Sequence, residues 1–290
     1  MIHEQLSSAE VDFIIYLSRY QDDYGTVSGV YYKELCEKMD MSYQTFYNVK
    51  RSLEEKGFIR SEKRNKQDHD ITIVGNVFAS MEEMKQGYVN TNTKMFYDKA
   101  FFDMKAGAKL LAMKMMRMAK KTGLGKYIKN TKEFLAEYTT LFGVKDDIMR
   151  IYLNQIREFF SILIRKRNYH IRPKEKRTGK YTTKDAMSGA RFRSEKERYR
   201  KHMIDTILRR FKIQKYADKK NMDNLDYLFS KYGKSENYQT SQSLLELISR
   251  AVKKSIELIL IGADGKEQRQ GVTLLQPAII HKLLQQQAGY

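Results

Sequence analysis

The chain has 290 residues, of which 54 are Lys or Arg and 35 are Asp or Glu, giving a formal net charge of +19. The length suffices for two or three compact domains, and the excess of positive charge predicts a polyanionic partner, with nucleic acid favoured over an anionic membrane surface. The chain has one cysteine, no signal-peptide pattern and no stretch near the roughly 20 apolar residues of a membrane span. These features predict a cytoplasmic protein without disulfides, and a nucleic-acid partner would associate it with the nucleoid.

Residues 1–76 are predicted to contain three helices followed by two short strands. Apolar spacing, a serine at a helix start and a glycine at a helix end supply the local signals. The predicted elements are a helix over 9–20, a polar loop over 21–29, a helix over 31–39, a turn at Asp40-Met41, a helix from Ser42 to about Lys56, and strands over 58–60 and 70–74 on either side of a basic loop. This is the order of elements of a winged helix-turn-helix domain, in which the last loop is the wing.

The second helix of the turn is the candidate reader of DNA bases. Phe46, Val49 and Leu53 fall at spacings of three and four, so they share the core face. On the opposite face, Gln44 and Asn48 are the expected base readers, because residues near the start of such a helix reach the base edges. The predicted contacts are Ser42, Tyr43, Gln44, Tyr47, Asn48, Lys50 and Arg51 on the helix, and Lys63, Arg64 and Lys66 on the wing.

The stretch 41–59, MSYQTFYNVKRSLEEKGFI, combines a serine cap, a threonine followed by an apolar residue, and Leu-Glu-Glu-Lys-Gly before an aromatic-aliphatic pair. In these features it resembles the bacterial winged helix-turn-helix regulators, over about residues 9–74. The resemblance implies a second helix that enters the major groove. Such domains also serve as protein-interaction modules, and the aromatic residues Tyr43, Phe46 and Tyr47 leave that alternative open.

A connector over 77–99 is followed by a second helical domain over 100–172 with a similar order of elements. Met149, Tyr152, Leu153 and Ile156 form its apolar stripe. The predicted elements are a long helix over 100–121, a helix over 132–141 capped by Thr131, a turn at Gly143, a helix from Asp146 or Asp147 to about Phe160, and strands over 161–164 and 169–171.

This second domain would place further basic residues against DNA. The layout looks like that of plasmid replication initiators built from tandem winged helices, and a plain helical core with basic loops is the alternative. The predicted contacts are Lys145, Arg150, Asn154 and Arg157 on the helix, and Arg165, Lys166, Arg167 and Arg172 on the wing.

Most of the excess charge lies in residues 165–215, which contain 19 Lys or Arg against 5 Asp or Glu. The part over 173–192 is predicted to be a basic linker, in which Lys174, Lys176 and Arg177 contact phosphates. Residues 193–290 form a helical C-terminal region, whose apolar residues serve either a homodimer interface or an ordinary intramolecular core. A basic amphipathic helix over 193–217 could also lie on an anionic membrane surface, which is the less favoured reading.

Signatures of catalysis are missing from the sequence. There is no phosphate-binding loop, the five histidines are scattered, and one cysteine cannot build a Cys-rich zinc site. We therefore expect a mainly α-helical, non-enzymatic protein with short β-wings and no cofactor or metal. The expected function is sequence-specific binding of double-stranded DNA by a transcription regulator of bacterial, plasmid or phage origin. The alternatives are a replication initiator or maintenance protein that binds repeated sites, and a protein-interaction adaptor.

Overall fold

The computed structural model describes residues 6–64, 68–77, 89–91, 93–122, 125–179, 189–214, 219–232, 241–261 and 277–287. These residues form a mainly helical protein with two small antiparallel sheets of three strands each, which confirms the predicted class at this level. Lys66, most of the connector and residues 180–188 of the predicted linker lie outside the described residues.

In the first segment of the chain, residues 8–73, the described residues form three helices and three strands. The helix α3 begins after its predicted cap Ser42, whose hydroxyl accepts a hydrogen bond from the amide of Thr45. Phe46, Val49 and Leu53 are buried, as their spacing predicts. The elements are α1 (Ser8–Leu17), β1 (Thr26–Tyr31), α2 (Tyr32–Lys38), α3 (Tyr43–Glu55), β2 (Ile59–Lys63) and β3 (Asp68–Ile73).

The predicted polar loop over 21–29 is wrong in its second half, where β1 pairs with β3. The alternation of apolar residues is broken because the register shifts between Val27 and Val30. Gly29 lies in this bulge with φ of 71°, and a Cβ there would come within 2.2 Å of Thr206. The bulge therefore requires glycine, and it hid the strand from the sequence pattern.

The second segment shows three differences from expectation. The long helix over 100–121 is interrupted at Asp103, which caps the C-terminus of a short first piece. Asn130 rather than Thr131 is the N-cap of the next helix, because it ends an unpredicted strand and its side chain accepts from the amide of Lys132. The following helix ends at Ile156, since Phe160 already belongs to a strand.

The elements of this segment are α4 (Lys99–Phe102), α5 (Ala106–Lys121), β4 (Tyr127–Asn130), α6 (Thr131–Phe142), α7 (Asp146–Ile156), β5 (Phe160–Arg165), β6 (Asn168–Pro173) and α8 (Glu175–Thr178). A 3₁₀ turn, Lys94–Tyr97, precedes them. From α5 onward they repeat the order helix, strand, helix, helix, strand, strand of the first segment. In both sheets the last strand is central, with the order β1-β3-β2 in the first and β4-β6-β5 in the second.

The chain divides into two compact units. Unit 1 comprises Met1–Arg19, Cys36–Ile59 and Ile73–Phe192, and unit 2 comprises Tyr20–Leu35, Arg60–Thr72 and Arg193–Tyr290. The predicted domain boundaries stay predictions.

Within unit 1, α1 packs against both α3 and α5, and α5 packs against α7. The rings of Phe13 and Phe46 join α1 to α3, with centroids 5.8 Å apart. The ammonium of Lys109 on α5 lies 2.6 Å from a carboxylate oxygen of Asp12 on α1, and the lysine is fully buried. This buried ion pair fixes two helices that are far apart in sequence.

Glu10 on α1 makes a second connection to the end of α3. Its carboxylate accepts hydrogen bonds from the amide of Ser7, which completes a capping box, and from the ammonium of Lys56 at 2.8 Å. Burial raises the pKa of Glu10, but hydrogen bonds from Lys56, Ser52 and Ser7 outweigh it and hold this pKa below its ordinary value.

Unit 2 contains α9, α10, α11 and α12. Apolar residues of α11, including Leu245, Ile248 and Val252, are buried in a core shared with the other three helices. For these residues the structure shows the intramolecular core, the second of the two predicted roles. The helices are α9 (Gly189–Arg210), which begins in unit 1, α10 (Lys219–Tyr232), α11 (Ser241–Ile261) and α12 (Pro277–Gln287).

Candidate nucleic-acid interface

The exposed face of α3 carries a hydrogen-bonded pair of amide side chains. Gln44 Nε2 donates to Asn48 Oδ1 over 2.9 Å, and both side chains are exposed. The pairing leaves the carbonyl oxygen of Gln44 and the amide nitrogen of Asn48 without a partner among the described residues. The carbonyl oxygen of Gln44 can accept a hydrogen bond from the N6 amino group of adenine, and the amide nitrogen of Asn48 can donate one to its N7 atom.

Aromatic side chains flank this amide pair. The rings of Tyr43 and Tyr47 lie 4.5 Å apart between centroids, and Tyr47 packs edge-on against the buried ring of Phe46. Tyr43 is 54% exposed, so most of its ring remains accessible at the start of α3. Tyr47 thus contacts both the exposed ring of Tyr43 and the buried ring of Phe46.

The two cations of α3 are paired along the helix. Lys50 contacts Glu54 at 3.0 Å and Arg51 contacts Glu55 at 2.8 Å. The side chain of Lys50 is only 12% exposed, so this predicted contact offers little surface to DNA. Exposed pairs of this spacing, such as Arg51–Glu55, contribute only about 0.3–0.5 kcal/mol. Arg51 is 80% exposed, so a phosphate oxygen could replace Glu55 at little cost.

The first wing contains one predicted contact that is held within the protein. Arg64 donates to Asp70 at 2.6 Å and also lies within ion-pair distance of Glu62 and Glu246. Burial lowers the pKa of its guanidinium, but these carboxylates, Asp70 foremost, raise it above the ordinary value. Arg64 therefore has an intramolecular role, while its predicted neighbour Lys63 is exposed.

A share of the positive charge downstream is also engaged within unit 2. On α9, Arg209 pairs with Glu34 at 3.2 Å, and Arg210 pairs with Asp68 at 3.0 Å and Asp70 at 3.1 Å. The high density of Lys and Arg in this part of the sequence is thus in part structural. The number of Lys and Arg residues in this part of the sequence therefore overstates the number of cations available to phosphates.

The exposed face of α7 is chemically mixed. The predicted contacts Lys145, Arg150, Asn154 and Arg157 are all exposed, as expected. The same helix also exposes two carboxylates and two apolar side chains. These are Asp146, Asp147, Ile148 and Ile151.

The second wing is a hairpin with the shortest common loop. Arg165 pairs with Asn168 at the end of the β5–β6 ladder, so Lys166 and Arg167 alone form the turn. Their φ angles are 47° and 62°, a conformation that the type I′ hairpin turn requires at both positions and that Asn-Gly adopts most easily. The side chains of Arg165, Lys166 and Arg167 are exposed and have no polar partner among the described residues.

The start of the predicted basic linker folds as α8. The ammonium of Lys174 donates a hydrogen bond of 2.8 Å to the backbone carbonyl of Arg157. Arg177 pairs with Asp98 at 3.2 Å and with Glu158. Lys176 is exposed. Of these three predicted phosphate contacts, Arg177 is thus the one bound by carboxylates of unit 1.

The described residues include no group of three or more His, Cys, Asp or Glu side chains that could hold a metal ion. No helix in the described ranges is long and apolar enough to cross a membrane. Comparison with family models, with curated proteins and with solved structures yields no match to this chain.

Proposed function

We propose that the chain is a sequence-specific double-stranded DNA-binding protein with two winged helix-turn-helix modules, residues 8–73 and 106–173, acting as a transcription regulator of bacterial, plasmid or phage origin. One observation carries the proposal. In each segment a helix with one buried stripe turns its other face outward and is followed by a short antiparallel hairpin, within the same order of elements and strands. This is the order of elements of winged modules, which contact DNA with the second helix and the wing.

In the first module, α3 would enter the major groove. Gln44 and Asn48 would bridge an adenine edge, and a good bidentate pair discriminates against a wrong base by about 1–3 kcal/mol. The exposed side chains of Tyr43 and Arg51 would lie against the DNA backbone. Phosphate contacts of this kind fix the orientation of the helix without reading sequence.

The second module would supply affinity through its exposed cations. Each phosphate neutralised by Lys or Arg adds about 0.9 to the slope of log affinity against log salt. Three adjacent cations at 165–167 are exposed, and none of them is paired with another described residue. Binding should therefore weaken steeply as salt rises.

Both modules would bind one duplex with a fixed separation. The helices α3 and α7 belong to unit 1 and are connected through the packing of α1 and α5. The buried Lys109–Asp12 pair lies at the contact between those two helices. A target with two contacted segments at one spacing follows from this arrangement.

A replication initiator or maintenance protein that binds repeated sites is the second candidate, which the presence of two consecutive modules favours. Footprinting of the full chain on genomic DNA, with a follow-up on isolated duplexes, separates the candidates. Protection of one promoter supports the regulator, and protection of an array of repeats supports the initiator. Absence of binding to any duplex at about 50 mM salt would reject both and leave the protein-interaction adaptor.

A further inference from the structure

We propose that the second module contacts DNA through its wing, with Lys166 and Arg167 inserted into the minor groove, and that α7 stays outside the major groove. This rests on the proposed function, and it assigns different recognition elements to the two modules. The first module reads base edges with a helix, and the second recognises the shape and charge of a groove with a hairpin tip.

The start of α7 is unsuited to the major groove. In a helix-turn-helix it is the N-terminal part of the second helix that approaches the bases. At that position α7 exposes Asp146 and Asp147, whereas α3 has no acidic residue in its first turn. Two carboxylates at this end would face the phosphates that line the groove and repel them.

The remainder of the α7 face offers few groups that distinguish base pairs. Ile148 and Ile151 are 36% and 41% exposed, and they border Asn154 on the outward side of the helix. Apolar side chains of this kind can touch a thymine methyl but cannot form the bidentate hydrogen bonds that specify a base pair. The face lacks the paired amides found on α3.

The wing tip keeps two cations in a costly conformation. A non-glycine residue with left-handed backbone costs about 1–2 kcal/mol, and Lys166 and Arg167 both adopt it. Asn-Gly would form the same turn at a lower cost. Residues in strained backbone conformations are concentrated at functional sites, and here both of them carry exposed cations.

The tip is also fixed in position before any ligand binds. The carbonyl of Arg167 accepts a hydrogen bond of 2.9 Å from the amide of Thr131 at the start of α6. Arg165, Asn168 and Asn130 lie opposite one another across β5, β6 and β4, so they share one face of the sheet beside the tip. The wing therefore presents its cations on a hairpin whose tip is hydrogen-bonded to the start of α6.

These features fit the minor groove of A·T-rich DNA. That groove is narrow, has an enhanced negative potential and attracts Arg and Lys side chains inserted into it. A two-residue loop is the narrowest tip that a hairpin can offer. The ligand under this wing is therefore a narrow minor groove, recognised by its shape and charge.

The test uses a duplex that the full chain selects from random sequences. In the segment under the wing, A·T pairs are replaced either by inosine·cytosine or by diaminopurine·thymine. The first change keeps the A·T minor groove and alters the major groove, and the second adds an amino group to the minor groove and keeps the major groove. We expect a change of affinity within about twofold for the first and a loss of about tenfold for the second. The reverse pattern would show that the major groove is read there and overturn the proposal.

Two variants with equal loss of charge locate the contact. Lys166→Asn with Arg167→Gly keeps the hairpin turn, and it should abolish the sensitivity to diaminopurine. Lys145→Ala with Arg150→Ala removes two cations from α7 and should leave that sensitivity intact. Loss of sensitivity in the α7 variant alone would overturn the proposal. If the unmodified chain binds no duplex at about 50 mM salt, the proposed function itself fails, which is a separate outcome.

Discussion

The tip of the second wing leads to a prediction in which stability and binding change in opposite directions. Lys166 and Arg167 both have positive φ, and the left-handed conformation costs about 1–2 kcal/mol for a residue with a side chain. Glycine removes this cost and asparagine reduces it, because both are favoured in this turn. The double substitution Lys166→Asn and Arg167→Gly should therefore raise the free energy of unfolding by about 1–2 kcal/mol.

The same substitution removes two exposed cations, so it should weaken DNA binding. If each of the two cations neutralises one phosphate charge from within the groove, the slope of log affinity against log salt becomes shallower by about 1.8. Chemical denaturation measures the first effect, and fluorescence anisotropy of a labelled duplex at several salt concentrations measures the second. A matched control is Lys166→Ala with Arg167→Ala, which removes the same charge but leaves a Cβ at both positions. It should lose the same affinity without any gain in stability.

Two results would refute this reasoning. A variant with Asn-Gly that is no more stable than the alanine control would show that the turn is not strained. An unchanged salt slope in both variants would show that the two side chains do not contact DNA. The comparison separates the backbone effect from the charge effect, because both variants lose the same two charges and only the Asn-Gly variant relieves the strain of the turn.

Four further predictions concern unit 1. Replacing Gln44 and Asn48 together by alanine should remove the preference for the selected duplex over a scrambled one while non-specific binding survives; an unchanged preference would mean that another face reads the bases. Because the pKa of Glu10 is lowered in the folded state, its carboxylate stabilises the fold fully above the ordinary glutamate pKa, and this stabilisation is lost as pH falls through the lowered pKa. Glu10→Gln should therefore make the free energy of unfolding fall less steeply in acid, and an acid profile identical to that of the unchanged chain would contradict this. Asp12→Asn leaves Lys109 buried without a charge partner and should cost about 3–5 kcal/mol in denaturant unfolding, most of it recovered by adding Lys109→Met; a neutral effect would refute the role of this pair. Inserting five or ten base pairs between the two contacted DNA segments should lower the affinity in both cases; recovery at ten would indicate modules that move independently.

Local signals in the sequence predicted the parts of the fold that depend on neighbours along the chain. The cap Ser42 and the stripe of Phe46, Val49 and Leu53 were predictable because a helix brings residues three and four apart onto one face. The hairpin around Lys166 and Arg167 was predictable for a similar reason, since its strands adjoin.

Features that depend on distant partners were not predictable in this way. The strand β1 pairs Thr26 with Thr72, and the bulge at Gly29 removes the alternation that would have revealed it. Lys109 belongs to a helix rich in basic residues, which suggests exposure, yet it is buried because Asp12 is packed beside it. The intramolecular pairing of Arg64 likewise requires the fold to bring carboxylates around it.

The central claim is that this chain recognises a DNA sequence through two modules. It is tested most directly by measuring the dissociation constants of the full chain for a selected duplex and for a scrambled duplex of the same composition, across a range of salt concentrations. The account predicts a preference of about a thousandfold or more for the selected duplex, with affinity for both falling as salt rises. Equal dissociation constants for the two duplexes, or no binding at about 50 mM salt, would contradict it.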